Sequence, residues 1–325
     1  MKRLSLILAL MLVVLIGCTP QEEATEADGE DGNIKVIASF FPIADFTERI
    51  GGEHVKVETL IQGGTAPHSW EMSTTDRNLV EQADLFIYNG ARFEHWVDDL
   101  LETVENQDLV AVESARNVDL AEGHSHDHDH DDHDHEHEEE AHDHDDHDHG
   151  PYDAHTWISL RNAVVQMETI KDALVELDPD NAETYEANFE KEKEAFLALD
   201  QKAQELFQDV DRKDFIVGHE SFGYFARDYG LTQHGIEGAA SHGEPDPATM
   251  ANLIRLAQDT GIHTVFYDPL GSDKTAQAIA AEIGGTAVPL NPLEGRTDEE
   301  TEQGLGTLEI MEQNIEALHK ALTDE

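Results

Sequence analysis

One internal stretch, residues 124–149, most constrains how this chain can fold. It reads HSHDHDHDDHDHEHEEEAHDHDDHDH and holds 11 His, 13 acidic residues and one apolar residue, Ala141. Such a composition cannot build a packed core, so we predict a solvated, disordered segment that interrupts the folded chain. Its imidazoles and carboxylates are ligands that zinc and similar divalent metals prefer. The alternative is an acidic linker with no role of its own.

This His-rich tract predicts that the protein handles a metal ion. It does not distinguish storage, sensing, transport and catalysis. An affinity tag is not expected at an internal position with acids interleaved among the His. The candidate accessory metal ligands are His124, His126, His128, His130, His133, His135, His137, His142, His144, His147 and His149.

The N-terminus is typical of an exported protein. A positive start at residues 2–3 precedes an apolar run at residues 4–16, which is too short for an ordinary membrane span, although an anchor is the alternative. We therefore predict a signal peptide over residues 1–17. Residues 15–18 resemble a bacterial lipoprotein signal, which implies cleavage before Cys18 and lipidation of that residue. Cys18 is the only cysteine, so disulfides are excluded and any metal site must use His, Asp or Glu.

The charge balance narrows the possible partners. Residues 18–32 are strongly acidic and predict a flexible tether, and the whole chain carries 71 acidic against 20 basic residues, a net charge of −51. A nucleic-acid-binding surface must be basic, so binding to nucleic acid is excluded. The acidity is compatible both with a high-salt habitat and with attraction of cations.

Short apolar runs alternate with amphipathic stretches, which predicts α/β architecture with parallel sheets. We expect two (β/α) lobes, 33–158 and 178–325, joined by a linking helix at 159–177. A disordered His-rich loop at 121–150 lies within the first lobe. The predicted strands are Ile34–Ser39, Val55–Ile61, Asp84–Tyr88, Leu109–Val112, Phe215–Val217, Leu231–Ile236, His263–Tyr267 and Thr286–Leu290. The predicted helices are Pro42–Ile50, Thr75–Gln82, Glu94–Val104, Leu160–Leu177, Asn181–Asp209, Phe222–Tyr229, Ala248–Thr260, Lys274–Ile283 and a terminal helix that includes Leu308–Leu322.

Three His outside the tract are candidate metal ligands. His68 follows the second predicted strand and His219 ends the first strand of the other lobe, while His155 precedes the linking helix. Ligands in open α/β sheets bind beyond the carboxyl ends of the strands, so His from both lobes would converge on the cleft between them. His242, in a stretch rich in small residues, could be an additional ligand. We interpret the remaining ones as surface or internally satisfied residues: His54, His95, His234, His263 and His319.

Four motifs carry a specific resemblance. Pro67-His68, the segment HTWIS at 155–159 and the segment GHESFGYF at 218–225 resemble the three His motifs of the zinc-binding lipoprotein components of bacterial ABC importers. The segment LNPLEG at 290–295, followed by a terminal helix, is also similar to that family. The resemblance covers residues 33–325, and zinc-specific members carry a His-rich loop between their first two His ligands.

The resemblance implies a ligand set and a fold. The implied ligands are His68, His155, His219 and an acidic residue, for which Glu294 is the first choice and Asp268 or a water the alternative. The implied fold has a rigid linking helix and a metal buried between the lobes. One departure is His68-Ser69-Trp70 in place of the more usual His-x-Tyr. Glu71 is a candidate supporting residue.

The resemblance also implies a function. The protein would be a monomeric, lipid-anchored, extracytoplasmic binder that delivers Zn(II) to the transmembrane subunit of an ABC permease with its cytoplasmic ATPase. The tract would then be a low-affinity zinc collector or sensor. Three imidazoles and one carboxylate suit tetrahedral Zn(II), whereas manganese favours more oxygen ligands, and the related manganese binders replace one His by Glu.

Three other functions stay open. A manganese-type binder would use the same fold. A surface metal buffer or adhesin would depend mainly on the tract. A zinc hydrolase needs an open coordination position and a general base, and the chain has no His-Glu-x-x-His motif, because His219-Glu220 is followed by Ser-Phe-Gly. We therefore predict that the protein is not an enzyme.

Overall fold

In the computed structural model the described residues are 33–62, 67–121, 152–238 and 245–323. Several predictions concern residues outside these ranges: the signal peptide at 1–17, the tether at 18–32 with Cys18, the His-rich tract and His242. The described residues together form one compact unit. None of the helices in the described ranges combines the length and the apolar character that crossing a membrane requires.

The strands of the first sheet are β1 (Ile34–Ala38), β2 (Val55–Thr59), β3 (Leu85–Tyr88) and β4 (Val110–Glu113). They are parallel and lie in the order β2-β1-β3-β4. Strand β3, one of the two central strands, is apolar and buried from Leu85 to Ile87, as expected for a parallel sheet covered on both faces. Ile34 of β1 lies opposite Val55 of β2, and Leu85 lies opposite Val110 of β4. The helices of this part are α1 (Phe41–Gly51), α2 (Thr74–Glu81) and α3 (Val97–Thr103).

Two long helices connect the sheets. The linking helix α4 spans Leu160–Leu177, as predicted, and begins where the Ser159 hydroxyl accepts a hydrogen bond from the Asn162 amide at 3.2 Å. It ends before Pro179, and α5 then runs over Ala182–Gln208. Proline restricts the residue before it to extended backbone, which explains the break between these helices.

The strands of the second sheet are β5 (Asp214–His219), β6 (Thr232–Glu237), β7 (Thr264–Tyr267) and β8 (Thr286–Pro289). They repeat the strand order of the first sheet as β6-β5-β7-β8, again with every pair parallel. The remaining helices are α6 (Gly223–Tyr229), α7 (Pro247–Thr260), α8 (Lys274–Ile283), α9 (Asp298–Glu302) and α10 (Thr307–Thr323). The prediction of two α/β lobes with parallel sheets is confirmed, whereas the exact domain boundaries stay a prediction.

One hydrophobic core serves both sheets. It includes Phe86 from the first sheet, Phe215 from the second, Ile170 from α4 and Ile315 from α10. A second, smaller core lies against β5 and β7 and is built with residues of α7 and α8. Since a large apolar interface limits relative motion of the parts it joins, the shared core favours a fixed arrangement of the two sheets.

One local prediction was wrong, and one helix was missed. The helix expected from Glu94 begins at Val97, because the Glu94 carboxylate instead accepts hydrogen bonds from the backbone amides of Asn89 and Gly90, at 2.8 and 3.0 Å. The short helix α9 was not predicted. It is set by a capping box between Thr297 and Glu300, which falls in a polar stretch without an apolar stripe.

Candidate metal centre

His68 lies in a 3₁₀ turn, Pro67–Ser69, between β2 and α2. The residue is 5% exposed, and its ring packs edge-on against Phe93 with centroids 5.0 Å apart. Phe93 in turn contacts Trp157 with a centroid distance of 4.6 Å. An aromatic wall therefore fixes the first imidazole and keeps water from one side of it.

His155 directly precedes the 3₁₀ turn Thr156–Ile158 and is 1% exposed. Asn89, at the carboxyl end of β3, holds the chain on both sides of it. The Asn89 amide donates to the Ala154 carbonyl at 3.1 Å, and its oxygen accepts from the Thr156 hydroxyl at 2.7 Å. Gln166 of the linking helix donates to the same oxygen at 2.9 Å. A buried polar network thus carries the second imidazole.

His219 differs from the other two because it is a strand residue. It ends β5 and pairs with Glu237 of β6, so the sheet itself fixes its backbone. Its side chain is 14% exposed, against 2% for His68 and 1% for His155. Solvent therefore reaches the centre on the His219 side more readily than on the other two.

Glu294 lies in the loop between β8 and α9, and buried groups shape that loop. Asn291 receives a hydrogen bond from the Leu293 amide at 2.7 Å, and Asn314 of α10 donates to the Asn291 carbonyl at 2.7 Å. Leu293 is fully buried and has a φ of 64°. This left-handed conformation is unfavourable in free energy for a residue with a Cβ and persists only where the surrounding structure enforces it. Trp157 adds a hydrogen bond from its indole to the Pro292 carbonyl at 2.9 Å.

The four side chains converge on one point between the carboxyl ends of the two sheets. Their potential ligand atoms all lie within 4.8 Å of one another. Glu294 Oε1 lies 3.2 Å from His68 Nε2, 3.6 Å from His155 Nε2 and 3.0 Å from His219 Nε2. This donor set of three nitrogens and one carboxylate oxygen fits a tetrahedral zinc ion.

The electrostatics of the cluster are uneven. Burial lowers the pKa of His68 to about 4, although Glu294 partly opposes the shift. Burial also opposes the charged form of His155, but Asp153 and Glu294 outweigh it and raise the pKa of His155 to about 9. Burial disfavours a charged Glu294, yet the surrounding imidazoles, His219 first, hold its pKa well below its usual range. Near neutral pH these shifts favour a protonated His155 and a neutral His68.

Asp268 lies next to the cluster but outside it. It borders a small cavity that His219 also lines, and its carboxylate accepts a hydrogen bond from the Leu270 amide at 2.9 Å. Burial, together with the charge of Glu294, raises the pKa of Asp268 to about 6. The geometry favours Glu294 over Asp268 as the fourth ligand, and the metal-binding role of all these residues stays a prediction.

Three of the other described His make local contacts. His234 bonds Asp214 at 2.7 Å, the ring of His54 packs on Tyr185 and the ring of His319 packs on Phe207. In the described ranges, the four-residue group is the only cluster of His, Cys, Asp and Glu in a metal-holding arrangement.

Asp153 is a supporting residue that the sequence reasoning missed. Its Oδ1 accepts from both the Nδ1 and the backbone amide of His155, each at 2.9 Å. A carboxylate on the far nitrogen of a metal-binding imidazole fixes the ring and leaves Nε2 for the metal. Glu71, which was considered for this supporting role, is exposed. An Asp two residues before a candidate His was the available signal.

Asn89 and Glu94 were also missed. The Glu94 carboxylate accepts a hydrogen bond from the Ser39 hydroxyl at 2.6 Å, besides those from the loop amides. Burial raises the pKa of Glu94 to about 7. The loop it holds has left-handed backbone at Gly90, Ala91 and Arg92 and delivers Phe93 to His68. Neither residue stands in a motif that marks it in the sequence.

Comparison with known proteins identifies the family. The sequence profile of ZnuA, the periplasmic component A of the zinc-uptake complex, matches residues 36–321. The chain belongs to this family. The family is one of solute-binding proteins for zinc uptake and not a family of enzymes, which agrees with the resemblance found in the motifs.

Two curated relatives give the scale of the similarity. The high-affinity zinc uptake system protein ZnuA of Bacillus subtilis is 33% identical over 316 residues, which cover 97% of this chain and 96% of the relative. The zinc-binding lipoprotein AdcA of Streptococcus pneumoniae is 33% identical over 329 residues, which cover 100% of this chain. The chain spans only 62% of the length of that lipoprotein.

Solved structures agree with the fold. The Zn(II)-bound ZnuA-like domain of Streptococcus pneumoniae AdcA superposes with a TM-score of 0.75 at 28% identity, covering 90% of this chain and 100% of that domain. The laminin-binding protein Lmb of Streptococcus agalactiae, described as bifunctional with adhesin and metal transporting activity, gives a TM-score of 0.76 at 25% identity. The superposition covers 90% of this chain and 100% of the Lmb chain.

Proposed function

We propose that this protein binds one Zn(II) tightly at His68, His155, His219 and Glu294 and delivers it to the transmembrane subunit of an ABC permease. The observation that carries the proposal is the convergence of three imidazoles on one buried carboxylate oxygen. Zinc fits better than manganese because three of the four donors are nitrogens. The family and the named relatives support the same cargo.

The site chemistry argues for carriage and against catalysis. A catalytic zinc keeps one position open for water and has a general base beside it. Four protein ligands would close the coordination sphere, and the carboxylate that a hydrolase would use as base is here the fourth ligand. We therefore assign the chain a binding function and no enzymatic one.

The exported, lipid-anchored state is part of the proposal. A signal peptide at 1–17 and a lipidated Cys18 would keep the protein outside the membrane beside its permease, as a monomer. The naming of the relative AdcA as a lipoprotein supports the anchor. The proposed role of the His-rich tract is to collect zinc weakly, through many exchangeable ligands, or to sense its excess.

The decisive measurement is the zinc content and binding stoichiometry of the protein with residues 124–149 deleted. We expect one tightly bound zinc to remain and the weaker binding to disappear. If tight binding disappears with the tract while the deleted protein stays folded, the tract is the site and the four-residue assignment fails.

Delivery is tested separately in cells that lack the protein. Zinc uptake at low zinc concentration should be restored by the wild-type chain and not by His155→Ala. Failure of the wild-type chain to restore uptake would refute delivery to the permease, and restoration by both chains would refute the need for His155. Adhesion is a second candidate function, favoured by the described adhesin activity of Lmb. Specific binding of the zinc-loaded protein to laminin would support it.

A further inference from the structure

Ala121 and Asp153, which lie on either side of residues 122–151 in the sequence, meet beside the proposed metal centre. The backbone amide of Asp153 donates to the carbonyl of Ala121 at 3.0 Å. The Asp153 carboxylate also contacts His155, so the Ala121–Asp153 junction is linked to a proposed zinc ligand through a single residue.

Tyr224 of helix α6 bonds both residues of the Ala121–Asp153 junction. Its hydroxyl accepts a hydrogen bond from the Ala121 amide at 3.1 Å and donates one to the Asp153 carbonyl at 3.0 Å. The residue is fully buried and belongs to α6, two residues after the short loop that follows His219. The helix that follows one proposed ligand thus holds the chain that carries another.

Helix α6 packs closely against Asp153. A Cβ added at Gly223 would overlap Asp153 Oδ2, so a larger residue there would require the Asp153 carboxylate to shift. Asp153 is therefore held at three points: its amide by Ala121, its carbonyl by Tyr224, and its carboxylate between Gly223 and His155.

We propose that Tyr224 is a positioning residue for zinc capture, acting through Asp153 to hold the His155 ring with Nε2 directed at the ion. This inference rests on the proposed zinc-binding function. Tyr224 contributes no ligand atom. Without its hydroxyl the Asp153 carbonyl loses its donor, and the carboxylate that orients the imidazole gains freedom. Loss of a supporting contact around a metal ligand typically weakens metal binding by about 10–100-fold.

The chain offers a matched control on the same helix. Tyr229 of α6 also donates its hydroxyl to a buried acceptor, Asp200, at 2.9 Å. Its partner Asp200 belongs to α5 and is not one of the residues that converge on Glu294. Tyr224→Phe and Tyr229→Phe each remove one buried hydroxyl, so a general loss of stability should be similar in the two variants.

The experiment measures zinc affinity, zinc dissociation rate and the His155 Nδ1–H signal in ¹⁵N-histidine NMR spectra, assigned by its absence in His155→Ala. We expect Tyr224→Phe to weaken zinc binding about tenfold, mainly through faster dissociation, and to speed solvent exchange of the Nδ1–H proton. Tyr229→Phe should match the wild type in all three. Equal effects of the two variants on zinc binding and on the proton would overturn the inference.

A double-mutant cycle tests the route through Asp153. Because Tyr224 acts on the ring through that carboxylate, Tyr224→Phe should have no further effect on zinc affinity in an Asp153→Ala background. Additive losses would show that Tyr224 acts otherwise and would overturn the inference. Wild-type protein that binds no zinc tightly would instead refute the proposed function, and the proton-exchange measurement on zinc-free protein would still test the contact.

Discussion

The two sheets share one strand order, yet they position their contributions to the metal centre by different means. His219 is the last residue of β5 and takes its place from the strand ladder. His68 lies in a 3₁₀ turn and His155 directly before another, both beyond the first sheet, and Glu294 lies in a loop beyond the second. The hydrogen bonds between strands already fix the backbone at His219, whereas the backbone of a loop must be held by hydrogen bonds from side chains.

The anchors are present where the ladder is absent. Asn89 holds the chain around His155, and Asn291 with Asn314 holds the chain before Glu294. The strand-borne His219 is also the most exposed of the three imidazoles. The centre therefore has a closed side at His68 and His155 and a side accessible to solvent at His219. We propose the His219 side as the route by which zinc would enter and leave.

The largest expected effect is the loss of one imidazole. His68→Ala, His155→Ala and His219→Ala should each weaken zinc binding about 10³-fold or more, beyond the 10–100-fold typical of losing a supporting contact. The exposed His263 provides the control, since His263→Ala should bind like the wild type. Calorimetry with a competing chelator measures these affinities, and wild-type affinity in any site variant would remove that residue from the centre.

The next effect concerns the joint between the sheets. Arg49 of α1 pairs with Asp45 at 2.8 Å, Glu192 of α5 at 2.9 Å and Glu309 of α10 at 2.7 Å. Arg49→Met should reduce the free energy of unfolding by about 3 kcal/mol because Asp45 and Glu192, both largely buried, lose their guanidinium partner. Chemical denaturation measures this loss.

The control for that variant is the exposed cluster on the same helices. Lys202 pairs with Glu312 and Glu316 at the surface, where solvent screens the charges. Lys202→Met should leave the denaturation midpoint unchanged. A similar loss in both variants would mean that Arg49 does not join the two sheets in any special way.

A smaller change tests which acid completes the centre. Glu294→Gln removes the negative charge that three imidazoles share and should weaken zinc binding about 10–100-fold, while Asp268→Asn should have a much weaker effect. Direct titration with zinc measures both. The opposite ranking would make Asp268 the fourth ligand.

The smallest effect is the dependence on pH. His155, with a pKa of about 9, must lose a proton when zinc binds, whereas His68, with a pKa of about 4, is already neutral. Because His155 releases its proton on binding, affinity should rise by about tenfold from pH 7 to pH 8. Calorimetry in buffers of different ionisation enthalpy counts the proton. An affinity that levels off above pH 7 would contradict the raised pKa.

The same shift has a consequence for the zinc-free protein. The pKa of His155 is raised on folding, so the charged ring stabilises the fold at pH values below the ordinary His pKa of about 6.5. That contribution is lost as pH rises towards about 9. The free energy of unfolding of zinc-free protein should fall over this range, and His155→Ala should remove that part of the pH dependence.

Much of the fold was predictable from the chain because the signals are local. Apolar runs such as Leu85–Ile87 predict buried parallel strands, and the linking helix spans Leu160–Leu177 as predicted, with Pro179 shortly after its end. His68, His155 and His219 could be selected because each stands in a short motif. Glu94 was assigned to a helix because its partners, the Asn89 and Gly90 amides, depend on a loop whose left-handed backbone no motif marks.

The sequence by itself determined the α/β architecture, the acidic character and the residue types available for a metal, since these follow from composition and periodicity. Only the tertiary structure decided which atoms meet. It brought Glu294 Oε1 within 3.6 Å of three imidazoles and left Asp268 bonded to its own turn. It also linked Tyr224 through Asp153 to His155 across a gap of about 70 residues. Such contacts depend on how two sheets pack on one core, and no local pattern encodes them.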